Sequence, residues 1–119
     1  MERIKFITHK GKQILHIDFS NCNSQEMLGY MQEAHRVISG QPKNSVLTLT
    51  DVTNAHYNRA VSAALKEYTN ANKPFVKAAA VVGVTGMKEV ILNAIILFTR
   101  RSFSLFDNIE KAKEWLATK

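Results

Sequence analysis

Two short stretches gather the side chains of this sequence that could do chemistry. The first, "TDVTNAHYN", places Asp51, Thr53, His56 and Tyr57, an acid, a hydroxyl, a base and a phenol, within seven residues, and Asn58 follows them. Such a set has the parts for general acid–base work, with His56 as the base and Asp51 as its partner. It does so only where the fold brings them within hydrogen-bond reach. The same residues also have local uses. Asp51 and Thr53 suit side-chain turns to the backbone, Tyr57 suits inward packing, and Asn58 suits a helix cap. The second stretch, "GVTGMK", sets Gly83 and Gly86 around Thr85, with Lys88 close behind. Free backbone N–H groups at a helix start can hold an anion, to which Thr85 would add a hydroxyl and Lys88 a charge. The spacing is not that of a Walker phosphate loop. Without an anion these residues make a tight strand-to-helix turn, with Thr85 as the N-cap.

Other chemistries find little support. The four histidines, His9, His16, His35 and His56, include no pair four residues apart and no cysteine pattern beside them, so no metal is implied. No cofactor motif is present. Cys22 is the single cysteine and sits in a polar stretch, "SNCNS", which reads as an inert thiol. The net charge of +6 is spread thinly, with seven Lys/Arg against five Asp/Glu in residues 1–60 and nine against five in residues 61–119. Only Arg100 and Arg101 adjoin. A phosphate-tracking surface needs clustered cations and interleaved aromatics, so this pattern argues against nucleic acid.

The elements that must position these residues follow from periodicity. "RIKFITH" and "QILHIDF" alternate about Lys10-Gly11, a β-hairpin in which Leu15, Ile17 and Phe19 share one face and His16 and Asp18 the other. Asn23 and Glu26 have capping-box spacing and open a helix whose stripe runs through Met27, Leu28, Met31, Ala34, His35 and Ile38. "SVLTLTD" reads as a strand, "NAHYNRAVSAALKEYTNANKP" holds a helix, and the nearly all-apolar "FVKAAAVVGV" reads as a strand covered on both faces. A further helix, the short strand "SFSLF" and a last helix starting at Asp107 complete the order ββαβαβαβα. This is an α/β fold with a mixed, mainly parallel sheet, one domain over residues 1–119. Because ligands of such sheets bind at the carboxyl edge of the strands, the Asp51 and Gly83 stretches are expected to share a crevice.

The helix after Gly86 is the least ordinary element. On a helical projection Met87, Val90, Ile91, Ala94, Ile95, Leu97 and Phe98 form its buried face, while Lys88, Glu89, Asn93, Thr99 and Arg100 lie opposite. Leu92 and Ile96 intrude on that polar side. Either a neighbouring element covers them, or they form an exposed patch, rimmed by Lys88 and Arg100, for a protein partner, a second copy or a lipid. No apolar run is long enough to span a bilayer, and the first residues alternate and carry charge, so a cytoplasmic protein is expected.

The element order, the hairpin and the closing "LFDNIEKAKEWL" together resemble the SpoIIAA-like group of the STAS superfamily, which is often classed with SEC14-like domains. That superfamily includes anti-sigma-factor antagonists and the cytoplasmic domains of sulfate transporters. The resemblance implies a regulatory or interaction domain. One departure stands out: the phospho-serine motif D-S-S-G falls on His56, Tyr57, Asn58 and Arg59, so no serine stands at the switch position. Three readings remain. The first is a non-enzymatic domain presenting Asp51–Asn58 and Gly83–Ile96 to a protein partner or small anion, and an exposed Leu92–Ile96 patch would support it. The second is a SEC14-like module for an apolar ligand or lipid, marked by a cavity beneath the helix of Met87–Phe98. The third is a small hydrolase or transferase, marked by His56 bonded to Asp51 in a cleft.

Overall fold

The computed structural model describes residues 2–99 and 103–119 of the chain, and the side chains of all of these except Met87, Leu97, Phe98 and Thr99. Its elements are β1 (Ile4–His9), β2 (Lys12–Asp18), α1 (Ser24–Ser39), β3 (Val46–Asp51), α2 (Arg59–Asn72), β4 (Val76–Val82), α3 (Met87–Thr99), β5 (Ser104–Phe106) and α4 (Ile109–Leu116). The five strands lie side by side in sequence order, β1 antiparallel to β2 and all later pairs parallel. The mixed, mainly parallel α/β sheet expected from the sequence is therefore present.

Each element has a local cause. Lys10 and Gly11 both take positive φ, 50° and 78°, the combination that matches the twist of a two-residue hairpin. Asn23 and Glu26 form the full capping box of α1. Asn58 Oδ1 accepts from Val61 N at 2.8 Å and caps α2. Replacing Asn58 by alanine is expected to lower stability by about 1 kcal/mol, measured as a reduced urea midpoint with an unchanged slope. The start of α4 differs from expectation by one residue. Its N-cap is Asn108, whose side chain accepts from Lys111 N, while Asp107 pairs with Lys111 at 3.7 Å in solvent.

Adding each parallel strand beside its predecessor in one direction across the sheet, through crossovers of the same hand, puts the connecting helices on one face. One apolar cluster accordingly joins Leu15, Ile17 and Phe19 of the β2 strand and its end to Met27 and Met31 of α1, Val61 and Leu65 of α2, and Ile95 of α3. The opposite face, with Ile14, Leu47, Leu49, Ala80 and Val82, is covered by Ala112 and Leu116 of α4. The end of β4 is buried on both faces, as its unbroken apolar run requires.

The facing of α3 departs from the sequence reading. Ile95 is buried, Lys88, Ile91, Leu92 and Ile96 are half-buried, and Ala94 is exposed. Val90, expected inside, is 63% exposed. The inward stripe is thus Lys88, Ile91, Leu92 and Ile95, spaced i, i+3, i+4, i+7. Leu92 is no surface intruder, since it faces α2 and the sheet. Arg100, the expected rim of that patch, lies outside the described residues, as do the side chains of Met87, Leu97 and Phe98.

Candidate functional site

The loops that follow β2, β3 and β4 are tied together by their own backbones. Phe19 N donates to Asp51 O, Asn21 N to Thr53 O and Val52 N to Val82 O, each at 2.9 Å, and His56 N donates to Cys22 O at 3.0 Å. Two of these loops repeat one local design. Asp51 Oδ1 accepts from Thr53 N at 2.9 Å and from Thr53 Oγ1 at 2.6 Å. Asp18 Oδ1 accepts from Ser20 N at 2.9 Å and from Ser20 Oγ at 2.5 Å. An asparagine with positive φ closes each turn, Asn21 at 58° and Asn54 at 56°, a conformation that asparagine adopts more readily than most residues. Both carboxylates therefore shape the backbone at the strand ends.

The expected meeting of the two stretches occurs. Gly83 has φ of 88°, and a Cβ placed there would lie 2.6 Å from Thr53 N and 2.8 Å from Thr53 Cα. Lys88 reaches back across the same junction, donating from Nζ to Val52 O at 2.8 Å. Asp51, Thr53, Gly83 and Lys88 thus form one neighbourhood. His56 is exposed, and among the described residues its ring makes no hydrogen bond, so it and Asp51 are not coupled. Thr85 and Gly86 are also exposed. Their carbonyls accept from Lys88 N at 3.2 Å and Glu89 N at 3.1 Å, in the first turn of α3. Among the described residues, no three His, Cys, Asp or Glu side chains gather in a way that could hold a metal.

Beneath this junction, between the sheet, α2 and α3, lies a cavity of about 70 Å³. Phe19, Val52 and Val81 form its sheet side, Leu65 and Tyr68 its α2 side, Ile91, Leu92 and Ile95 its α3 side, and Phe103 one end. Tyr57 and Lys88 bring a phenol and an ammonium into the same lining, beside the hydroxyls of Thr50 and Thr69. Burial pushes the Tyr57 phenol up to about 12, so it keeps its proton throughout the neutral range. A wider groove of about 360 Å³ lies between α1 and α2, over Leu28, Met31, Ala64 and Tyr68. It is shallow and away from the strand ends, where ligands of this architecture bind. The cavity under α3 is therefore the better candidate.

Tyr57, Lys88 and Leu92 of the lining are among the candidate residues of the sequence, and the walls at Phe19 and Leu65 are not. Phe19 shares the inward face of the hairpin, and Leu65 lies on the buried side of α2. Nothing local marks that their stripes leave a gap, because the gap is made by three elements distant in sequence.

A second polar feature lies on the opposite face. His16 follows Ile14 on the side covered by α4, and its Nε2 atom is buried with no hydrogen-bond partner among the described residues. Burial holds its imidazole below the ordinary range, against the pull of the Asp18 and Asp51 carboxylates and with the help of Lys5 and Lys113. A histidine that resists protonation when folded contributes stability above its unfolded pKa of about 6.5, and that contribution is lost as the pH falls. The urea midpoint is therefore expected to fall more steeply between about pH 7 and pH 5 in the wild type than in a His16→Gln variant. Equal slopes would place His16 outside the linkage. Cys22, on the first face, is fully buried and accepts from Arg3 NH1 at 3.3 Å. Burial raises its thiol pKa, a shift that Arg3 opposes, so the thiol is protonated at neutral pH.

Comparison with known proteins finds no matching family model, no matching curated protein and no matching solved structure.

Proposed function

We propose that this chain is a non-enzymatic binding domain that takes a small, largely apolar ligand into the cavity beneath α3. The observation that carries this reading is the cavity itself. Aliphatic and aromatic side chains of the sheet, α2 and α3 make up most of its lining, and it sits at the carboxyl edge of a mainly parallel sheet, the usual ligand position of such sheets. Among the three readings open from sequence, this feature favours the apolar-ligand module. The partner-patch reading loses Leu92, whose side chain lines the cavity, and the acid–base reading lacks a bond between His56 and Asp51. A STAS-like topology remains part of the proposal, supported by the element order and the antiparallel leading hairpin.

Size sets the ligand. The cavity has about half the volume of one that admits benzene, so even a five-carbon branched chain, which is larger than benzene, enters only as α3 moves away from α2. Occupancy would be read by partners at the exposed side of α3, where Glu89, Val90, Asn93 and Ala94 face solvent.

Titration with isoamyl alcohol, followed by methyl NMR, tests the site. Signals of Leu65, Ile91, Leu92 and Ile95 are expected to shift in a saturable way, while those of Leu49 and Leu116, on the α4 face, stay in place. Shifts confined to the α4 face, or no saturable shift, would overturn the reading.

A further inference from the structure

The cavity has a chemical polarity that its apolar walls do not explain. Lys88 stands in the middle of the inward stripe of α3, half-buried, with its stem among aliphatic side chains and its ammonium at the strand-end junction. The partner of that ammonium is a backbone carbonyl, Val52 O, which satisfies one of its three donors and none of its charge. Among the described residues no carboxylate lines the cavity and none forms an ion pair with Lys88. A cation drawn partly out of water without a counter-ion is unfavourable, and a matching anion relieves that cost. Tyr57 lines the same space, and its hydroxyl hydrogen-bonds nothing among the described residues. The lining therefore offers an ammonium with two further donors and a phenol with its donor free, and, among the described residues, no anionic acceptor.

We propose that the ligand of this cavity is a short branched carboxylic acid, its alkyl body among Phe19, Leu65, Leu92 and Ile95 and its carboxylate held by Lys88 Nζ and the Tyr57 hydroxyl. The two donors suit the two oxygens of a carboxylate, one each, and charge-assisted bonds of this kind are the strong ones. On binding, Lys88 shares or exchanges its bond to Val52 O for one to the ligand. The junction between the β3 and β4 loops is then coupled to occupancy. This inference rests on the reading of the cavity as a ligand site.

The test uses the full chain and four probes, isovalerate, isoamyl alcohol, isoamylamine and acetate, each titrated at neutral pH by calorimetry with NMR to locate the site. Isovalerate is expected to bind about tenfold more tightly than isoamyl alcohol, with isoamylamine and acetate the weakest. Lys88→Met should abolish the preference while the alcohol still binds, and Tyr57→Phe should reduce it by about threefold. Equal binding of isovalerate and the alcohol in the wild type, with both shifting the cavity signals, overturns the carboxylate assignment and leaves the cavity reading standing. Acetate binding as tightly as isovalerate also overturns it, since the cavity then adds nothing to an anion contact. Failure of both isovalerate and the alcohol to bind overturns both proposals. The ratio in the wild type decides the matter even where Lys88→Met does not fold, and Tyr57→Phe gives the second variant.

Discussion

Replacing Phe19 by alanine is expected to lower the unfolding free energy by about 4 kcal/mol. Phe19 is 1% exposed, meets Tyr68 edge-on at a ring-centroid distance of 6.3 Å, and forms part of the cavity wall. The substitution removes the ring from a place where the sheet, held in register on both sides, cannot close the gap. It also joins the vacated space to the existing cavity. The enlarged cavity should admit benzene, as apolar cavities of sufficient size do. Benzene at 100 times its dissociation constant would return about 2.7 kcal/mol. Urea unfolding with and without benzene measures both effects. A loss below about 1 kcal/mol would mean that the neighbouring side chains collapse into the space, and a full loss without benzene rescue would mean that the two spaces do not join.

The second large effect is expected at Gly83. A methyl group there would overlap the backbone of Thr53, with Thr53 N at 2.6 Å, and the φ of 88° disfavours any L side chain. Neither loop can yield freely, because Val52 N is bonded to Val82 O on one side and Asn21 N to Thr53 O on the other. Gly83→Ala should lose about 3 kcal/mol, combining overlap with left-handed strain. Gly86 supplies the control, since its φ of 57° is also positive but nothing lies within 4 Å of its would-be Cβ. Gly86→Ala should lose only about 1 kcal/mol. Equal losses at the two positions would show that strain alone, and not the approach to Thr53, makes the glycine necessary. Because this junction also seats Lys88, any folded Gly83→Ala protein should show weakened ligand preference as well.

What the sequence made legible was mostly local. The hairpin at Lys10-Gly11 and the caps at Asn23 and Asn58 depend on residues within four positions of one another, and periodicity found them. The turn chemistry of Asp51 and Thr53 was visible for the same reason. The facing of α3 was not, because counting apolar residues assigns a lysine to solvent. Lys88 turns inward because a carbonyl just past the end of β3, 36 residues earlier, accepts a hydrogen bond from its ammonium, and this rotates the stripe so that Leu92 enters and Val90 leaves. His16 was hidden in a similar way. Alternation put it opposite Leu15 and Ile17, which reads as outward until α4 arrives to cover that side. The cavity is legible only as the mark of one of three open readings, since it is a property of how three elements fail to fill the space between them.

Among the described residues one helix, α4, covers the far side of the sheet, and this has a consequence for how the chain is made. Synthesis delivers each crossover helix directly after the strand it packs on, so α1, α2 and α3 can shelter their face as they emerge. The face of Ile14, Leu47, Leu49, Ala80 and Val82 has no such companion until α4 leaves the ribosome. Until then a nascent chain carries a bare apolar sheet, the kind of surface that chaperones hold. A chain released before Ile109 would hold the five strands of this sheet with one side of it uncovered, and quality control would meet that product as folded but sticky.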